Sequence, residues 1–237
     1  MTLNAIPLWT ALLPAVGVHA CYLIGASLGH LSWCFPYFPD CVSISAAGRH
    51  PPESILFRAT VIPTAILMLI YWKLAFEWLR ALGAPARGRI PARTTSWRNR
   101  AMLGLGLVAG AGLLVYGSIL GEVGDLYKLQ RRVGMTAFYV FAFLAEALLT
   151  VEVWAAAGRG SGVSARSLRA LAAIAGAAGA LGGLSFLSWA FYDDYRRFED
   201  AFEWTITLLI LAHPLAAGFA WRESGFEASL TVAGRGR

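Results

Sequence analysis

Six long apolar stretches, separated by short polar connections, constrain this chain more than any other feature. Blocks such as AMLGLGLVAGAGLLVYGSIL, residues 101–120, contain no charged side chain. A helix needs about 20 mainly apolar residues to cross a hydrocarbon layer roughly 30 Å thick. Six such blocks in one chain predict an all-α, polytopic membrane protein.

Composition agrees with this prediction. Of the 237 residues, 57% are hydrophobic and only 14% are charged, and a soluble globular protein rarely has that balance. The predicted helices leave only short connections, so residues 1–237 are expected to form a single six-helix transmembrane domain. The expected helices span residues 6–31, 52–82, 102–120, 133–156, 168–189 and 201–220.

The distribution of arginine predicts the orientation. Cytoplasmic loops of membrane proteins are enriched in Lys and Arg. The second and fourth connections and the C-terminal tail are rich in arginine, so they and both termini are expected in the cytoplasm. The first, third and fifth connections mix acids and bases and are expected on the opposite side. The net charge of +6 then reflects topology rather than nucleic-acid binding, and membrane lipids with anionic or glycosylated headgroups are the expected partners. The arginines that carry this argument are Arg87, Arg89, Arg93, Arg98, Arg100, Arg159, Arg166, Arg222, Arg235 and Arg237.

The cysteines and glycines show no metal or phosphate motif. No paired CxxC is present, so neither a metal nor another cofactor is expected. Cys34 and Cys41 share the first outer loop, where two alternatives stay open, a disulfide or two free thiols. The runs GLGLVAGAG and ALAAIAGAAGALGG lie inside predicted helices, where small residues let helices pack closely.

Three ionisable residues interrupt the apolar pattern near the middle of predicted helices. They are His19 in the first helix, Glu146 in the fourth and His213 in the sixth. At a rise of about 1.5 Å per residue, the three are expected at similar depths. Such groups usually face the bundle interior and mark a functional site, although a hydrogen-bonded packing trio is the competing interpretation.

A second polar group is expected at the non-cytoplasmic face. There, arginines could bind a phosphate or a sugar, while carboxylates remain for acid–base chemistry. A serine hydrolase is disfavoured because no GxSxG motif accompanies the serines. The candidate acids and bases are Glu53, His50 and Glu203, and the candidate substrate-binding residues are Ser43, Ser45, Arg49, Arg58, Asp125, Arg131, Arg132, Asp193 and Arg196.

Three segments resemble a known family. PYFPDCVSISAAGRHPPESILFR is similar to the first luminal loop of the Frag/DRAM/Sfk family, RVGMTAF to the start of its fourth helix, and FEDAFEWTITLLILAH to its last helix. The resemblance implies six spans and lipid-linked work, as in the factor for lipid remodelling of GPI anchors and in the DRAM autophagy modulators. The positions that match are Ser45, Gly48, Pro52, Glu53, Arg58, Gly134, Phe138, Glu203 and Trp204.

The expected function is therefore the binding or remodelling of a lipid headgroup or acyl chain. Whether the chain catalyses a reaction is left open, and a noncatalytic membrane regulator or scaffold is the alternative. A proton-coupled transporter that uses the three deep residues comes third. The Arg-rich, Lys-poor composition favours a bacterial inner membrane, with Golgi and lysosomal membranes as the other settings that the resemblance implies.

Overall fold

The computed structural model describes residues 3–83 and 96–228. Within them the chain forms six long helices and one short one, and all six long helices are apolar and long enough to cross a membrane. The predicted all-α, six-span architecture is confirmed. The helices are α1 (Ile6–Ser27), α2 (Ile44–Ala47), α3 (Glu53–Leu82), α4 (Trp97–Ile119), α5 (Asp125–Ala157), α6 (Ala165–Phe191) and α7 (Arg196–Glu223).

The long helices form a closed ring in which α1 packs on α3, α3 on α4, α4 on α5, α5 on α6, α6 on α7, and α7 on α1. We call the end that carries residues 28–52, 120–124 and 192–195 the loop end. Both described chain ends lie at the other, terminal end, where the Leu3 N–H donates to the Ala228 carbonyl over 2.9 Å. Five of the arginines that predict the orientation lie outside the described residues, namely Arg87, Arg89, Arg93, Arg235 and Arg237.

Several helices extend beyond their predicted limits because hydropathy misses polar first turns. α5 begins at Asp125 rather than at residue 133, and α7 begins at Arg196 rather than at residue 201. α4 and α6 also begin early, each behind a serine whose side chain caps the helix start. In contrast, α1 ends at Ser27, four residues before its predicted end, because Gly29 adopts a φ of 77° that stops the helix.

Glycines bring α4 against its neighbours. A Cβ added to Gly106 would overlap the Trp72 ring, and one added to Gly112 would lie 2.8 Å from the Gly134 carbonyl oxygen. Small residues thus act as packing surfaces, as the sequence predicts. Gly104 and Gly176 do not, because a Cβ at either position would meet no atom within 4 Å.

Candidate functional site

A disulfide closes the loop between α1 and α2. Cys34 and Cys41 are bridged with a Cα–Cα distance of 5.6 Å, so the first of the two sequence alternatives holds. Contacts on either side fix the loop to the bundle. Tyr22 accepts the Cys34 N–H over 2.8 Å, and the Arg197 guanidinium binds both oxygens of Asp40, which lowers the pKa of that carboxyl.

Removing this disulfide is expected to destabilise the protein. Closing so short a loop restricts the unfolded chain, which corresponds to about 2–3 kcal/mol of folding free energy. A Cys34→Ser/Cys41→Ser variant in detergent should therefore have a lower thermal unfolding temperature. Reductant should lower the unfolding temperature of the wild type and leave that of the variant unchanged. An equal temperature for the wild type and the variant would contradict a stabilising role.

His19 joins this loop rather than a deep site. Its Nδ1–H donates to the Ala15 carbonyl over 2.6 Å, which leaves Nε2 to accept from the Tyr37 hydroxyl, also at 2.6 Å. Burial raises the pKa of Tyr37, so its hydroxyl keeps the proton that it donates. The edge of Trp204 packs against the His19 ring. The prediction of similar depth for the three ionisable residues is therefore wrong for His19, because α1 carries it close to the loop end.

Glu146 and His213 do lie in the core. Both are fully buried, and His213 Nε2 shares a hydrogen bond of 2.9 Å with Thr150, one helical turn from Glu146. Glu146 Oε2, His213 Nδ1 and the Tyr71 hydroxyl have no hydrogen-bond partner among the described residues. A proton relay built from all three predicted residues loses support, because His19 has different neighbours.

Glu53, a predicted acid or base, is buried at the start of α3. Its Oε1 lies 2.7 Å from Nδ1 of His30, a residue that the sequence reasoning did not single out. His50 lies beside this pair, with its ring centroid 5.4 Å from that of His30. His30 was hidden because the pattern placed it inside the first helix. α1 ends earlier than predicted, and α3 packs back against it, which places His30 beside Glu53.

Arg58 faces another direction. Its guanidinium donates to the Leu120 carbonyl over 2.7 Å and to Glu122 over 3.3 Å, so it fixes the connection between α4 and α5. Glu203 instead lies on α7, where its carboxyl accepts the Ile44 N–H. The expectation that the outer polar residues share one pocket is wrong for these three, because neighbouring helices direct their side chains to different partners.

An apolar cleft opens between α5, α6 and α7. Its volume is about 610 Å³, and its walls are almost entirely hydrocarbon and aromatic. Toward the loop end it becomes polar, with the Tyr195 hydroxyl bound to Ser185 over 2.8 Å. The residues that line the cleft include Val140, Phe143, Leu144, Gly182, Gly183, Phe186, Trp189, Glu199 and Glu203.

A smaller polar cavity adjoins the cleft at the loop end. Its volume is about 300 Å³, and it is lined by Ser45, Tyr116, Lys128, Arg131, Arg132, Met135 and Glu199. Met135 and Glu199 also line the cleft, so the two spaces adjoin at these side chains. Three of the predicted substrate-binding residues thus meet, namely Ser45, Arg131 and Arg132. Lys128 was not predicted, although its spacing to Arg131 and Arg132 places all three on one face of α5.

The remaining predicted residues lie elsewhere. Ser43 caps α2 by accepting the Ala46 N–H over 3.1 Å, which is a structural role. Asp125 binds Lys128 over 3.1 Å on the surface. Arg49, Asp193 and Arg196 are exposed at the loop end. Within residues 3–83 and 96–228, no group of three or more His, Cys, Asp or Glu could hold a metal ion.

Comparison with known families supports the resemblance seen in the sequence. Residues 3–216 match the family described as the Frag1/DRAM/Sfk1/Cwh43P N-terminal domain. The chain belongs to this family. The match runs from before α1 into α7 and so includes every element of the candidate site. No curated protein and no solved structure gave a significant match. Membership in the Frag1/DRAM/Sfk1 family, together with six long apolar helices, makes the chain an integral membrane protein.

Proposed function

We propose that this Frag1/DRAM/Sfk1 protein binds an anionic membrane lipid. The acyl chains lie in the cleft between α5, α6 and α7, and the headgroup occupies the adjoining polar cavity. The observation that carries this proposal is that an apolar space and a basic one lie side by side, with Met135 and Glu199 lining both. An amphipathic ligand needs both environments side by side.

The basic residues of the cavity suit a phosphate group. Lys128, Arg131 and Arg132 line one small space, and neither arginine has an ion-pair partner among the described residues. Guanidinium groups bind phosphate with two parallel hydrogen bonds, which makes arginine a preferred phosphate ligand. Unpaired cations beside a lipid cleft therefore favour an anionic headgroup.

The carboxylates of the cleft suit hydroxyl groups. Glu199 and Glu203 lie one turn apart on α7, both line the cleft, and Glu199 also lines the polar cavity. Neither has an ion-pair partner within the described part of the chain. Carboxyl oxygens accept hydrogen bonds from hydroxyl groups, so they favour a headgroup that carries hydroxyls, as glycerol and sugars do.

Removing the two arginine charges is expected to weaken lipid binding. A hydrogen bond to a charged group contributes about 1.5–3 kcal/mol, so Arg131→Gln/Arg132→Gln should reduce the affinity for phosphatidylglycerol at least about tenfold. Displacement of a fluorescent phosphatidylglycerol from purified protein in detergent measures this change. Phosphatidylcholine should compete weakly with the wild type, because its trimethylammonium group faces the cavity arginines with the same charge.

The matched control is Arg159→Gln/Arg169→Gln, which removes the same charge from exposed sites at the terminal end. It should retain the affinity of the wild type. Equal loss in both double variants, or no loss in either, would contradict a headgroup site on α5.

The apolar half of the site can be blocked separately. Gly182 lines the cleft, and a Cβ at this position meets no atom within 4 Å, so Gly182→Leu should fill the cleft without disturbing the fold. Its lipid affinity should fall, whereas Gly176→Leu, on the same helix outside the cleft lining, should bind normally. Normal binding by Gly182→Leu would place the acyl chains elsewhere.

A further inference from the structure

The Glu53–His30 pair is separate from the lipid cleft. It joins the end of α1 to the start of α3, whereas the cleft lies between α5, α6 and α7, and neither His30 nor Glu53 lines it. Any role of this pair therefore depends on its own surroundings.

The geometry points to a general-base dyad: we propose that Glu53 orients His30, and that His30 activates water against an ester bond of a membrane lipid. The carboxylate lies 2.7 Å from Nδ1, so Nδ1 carries the proton that it donates and Nε2 is the accepting atom of the neutral ring. A histidine held in this way by a carboxylate is the usual arrangement of a catalytic base.

The burial of the two side chains is unequal. The Glu53 side chain is 2% exposed and the His30 side chain is 36% exposed, so the carboxylate is shielded while the imidazole is accessible. Solvent therefore does not compete for the bond that orients the ring, and a substrate has access to His30.

A purely structural ion pair would be expected to satisfy both carboxylate oxygens. Oε2 of Glu53 is buried and has no hydrogen-bond partner among the described residues. An unsatisfied buried acceptor of this kind costs about 1–3 kcal/mol. Unsatisfied buried groups in native structures call for an explanation, and a catalytic role is one of the established explanations.

The loop beside His30 is suited to the membrane interface. Trp33, Phe35 and Phe38 expose 67%, 60% and 63% of their surface, and the disulfide holds this loop in place. Aromatic side chains are enriched where a membrane meets water. The ester groups of glycerolipids also lie at this interface, so a loop seated there would bring His30 to the level of those bonds.

The reaction balances with water as the only co-reactant. His30 Nε2 takes a proton from a water molecule while the water oxygen bonds to the ester carbonyl carbon. The acyl carbon–oxygen bond then breaks, and the imidazolium returns the proton to the departing alkoxide. The products are a fatty acid and a lysolipid, and His30 and Glu53 end in their starting states.

The test uses the whole protein in nanodiscs of dioleoyl phosphatidylglycerol, with released oleate and lysolipid measured by mass spectrometry. Wild-type nanodiscs should release both products faster than empty ones. Because a general base contributes about 10²–10⁴-fold, His30→Ala and Glu53→Gln should each lose at least about a hundredfold in rate. Arg159→Gln, at the opposite end, serves as the control and should keep the wild-type rate.

Chemical rescue separates catalysis from structure. Free imidazole should restore part of the rate of His30→Ala and none of the rate of Glu53→Gln, which retains its own ring. His30 is exposed, so its removal should leave thermal unfolding near the wild-type value. No release by the wild type, an undiminished rate in His30→Ala, or a loss that imidazole does not restore in folded His30→Ala would each overturn the dyad.

Discussion

Replacing Gly134 by alanine should destabilise the bundle and weaken lipid binding together. A Cβ at this position would lie 2.8 Å from the Gly112 carbonyl oxygen and 3.0 Å from the Tyr116 backbone nitrogen. These are backbone atoms of α4, so no side chain can rotate away and the two helices must separate. Overpacking of this kind costs about 1–3 kcal/mol, and valine should cost more than alanine.

The effect should reach the polar cavity because Arg131 and Arg132 lie three and two residues before Gly134 on α5. Thermal unfolding in detergent and phosphatidylglycerol affinity should therefore both fall. Gly104→Ala is the matched control on α4, where the added methyl meets no atom within 4 Å. There alanine should be neutral or should stabilise by up to about 1 kcal/mol, since glycine weakens helices. A loss as large at Gly104 as at Gly134 would show that close packing is not the cause.

Replacing Glu146 by methionine should stabilise the protein. The carboxyl is 1% exposed, and its Oε2 has no hydrogen-bond partner in the described part of the chain. Burying such a group costs about 1–3 kcal/mol, and an apolar side chain of similar length removes that cost. The free energy of unfolding, measured by denaturation in mixed micelles, should rise by a similar amount.

Thr150→Val provides the contrast one turn away. It removes the hydrogen bond of 2.9 Å to His213 and leaves a buried imidazole nitrogen without a partner, so it should destabilise. If Glu146→Met destabilised as well, the carboxyl would be engaged by water or an ion, and the deep residues would form a functional site rather than a packing network.

Much of the candidate site was predictable as a set of residues but not as a set of contacts. The sequence identified Ser45, Arg131 and Arg132, and the structure brings these three into one cavity. It also identified Glu53, yet its partner His30 was missed, because a hydropathy pattern extends α1 past Gly29, where the backbone in fact turns. Lys128 was missed for a related reason, since hydropathy does not register the polar first turns of α5.

Where the prediction failed, neighbouring helices decided the outcome. Glu53, Arg58 and Glu203 all belong to the loop end, as expected from their positions near helix starts. Whether side chains at one end of a bundle converge depends on the rotation of each helix about its axis. Packing sets that rotation, and it turns Glu53 toward α1, Arg58 toward the α4–α5 connection and Glu203 toward the cleft.

The sequence by itself determined the class of the protein and the number of its spans, and it predicted near which helix ends the candidate polar residues lie. These follow from hydrophobic length and from the position of charges along the chain, which are local properties. Only the tertiary structure decided that Cys34 pairs with Cys41, that His30 meets Glu53, and that a basic cavity joins an apolar cleft. Those contacts depend on how the loops fold against the helices and on how the helices pack together, which no local sequence pattern specifies.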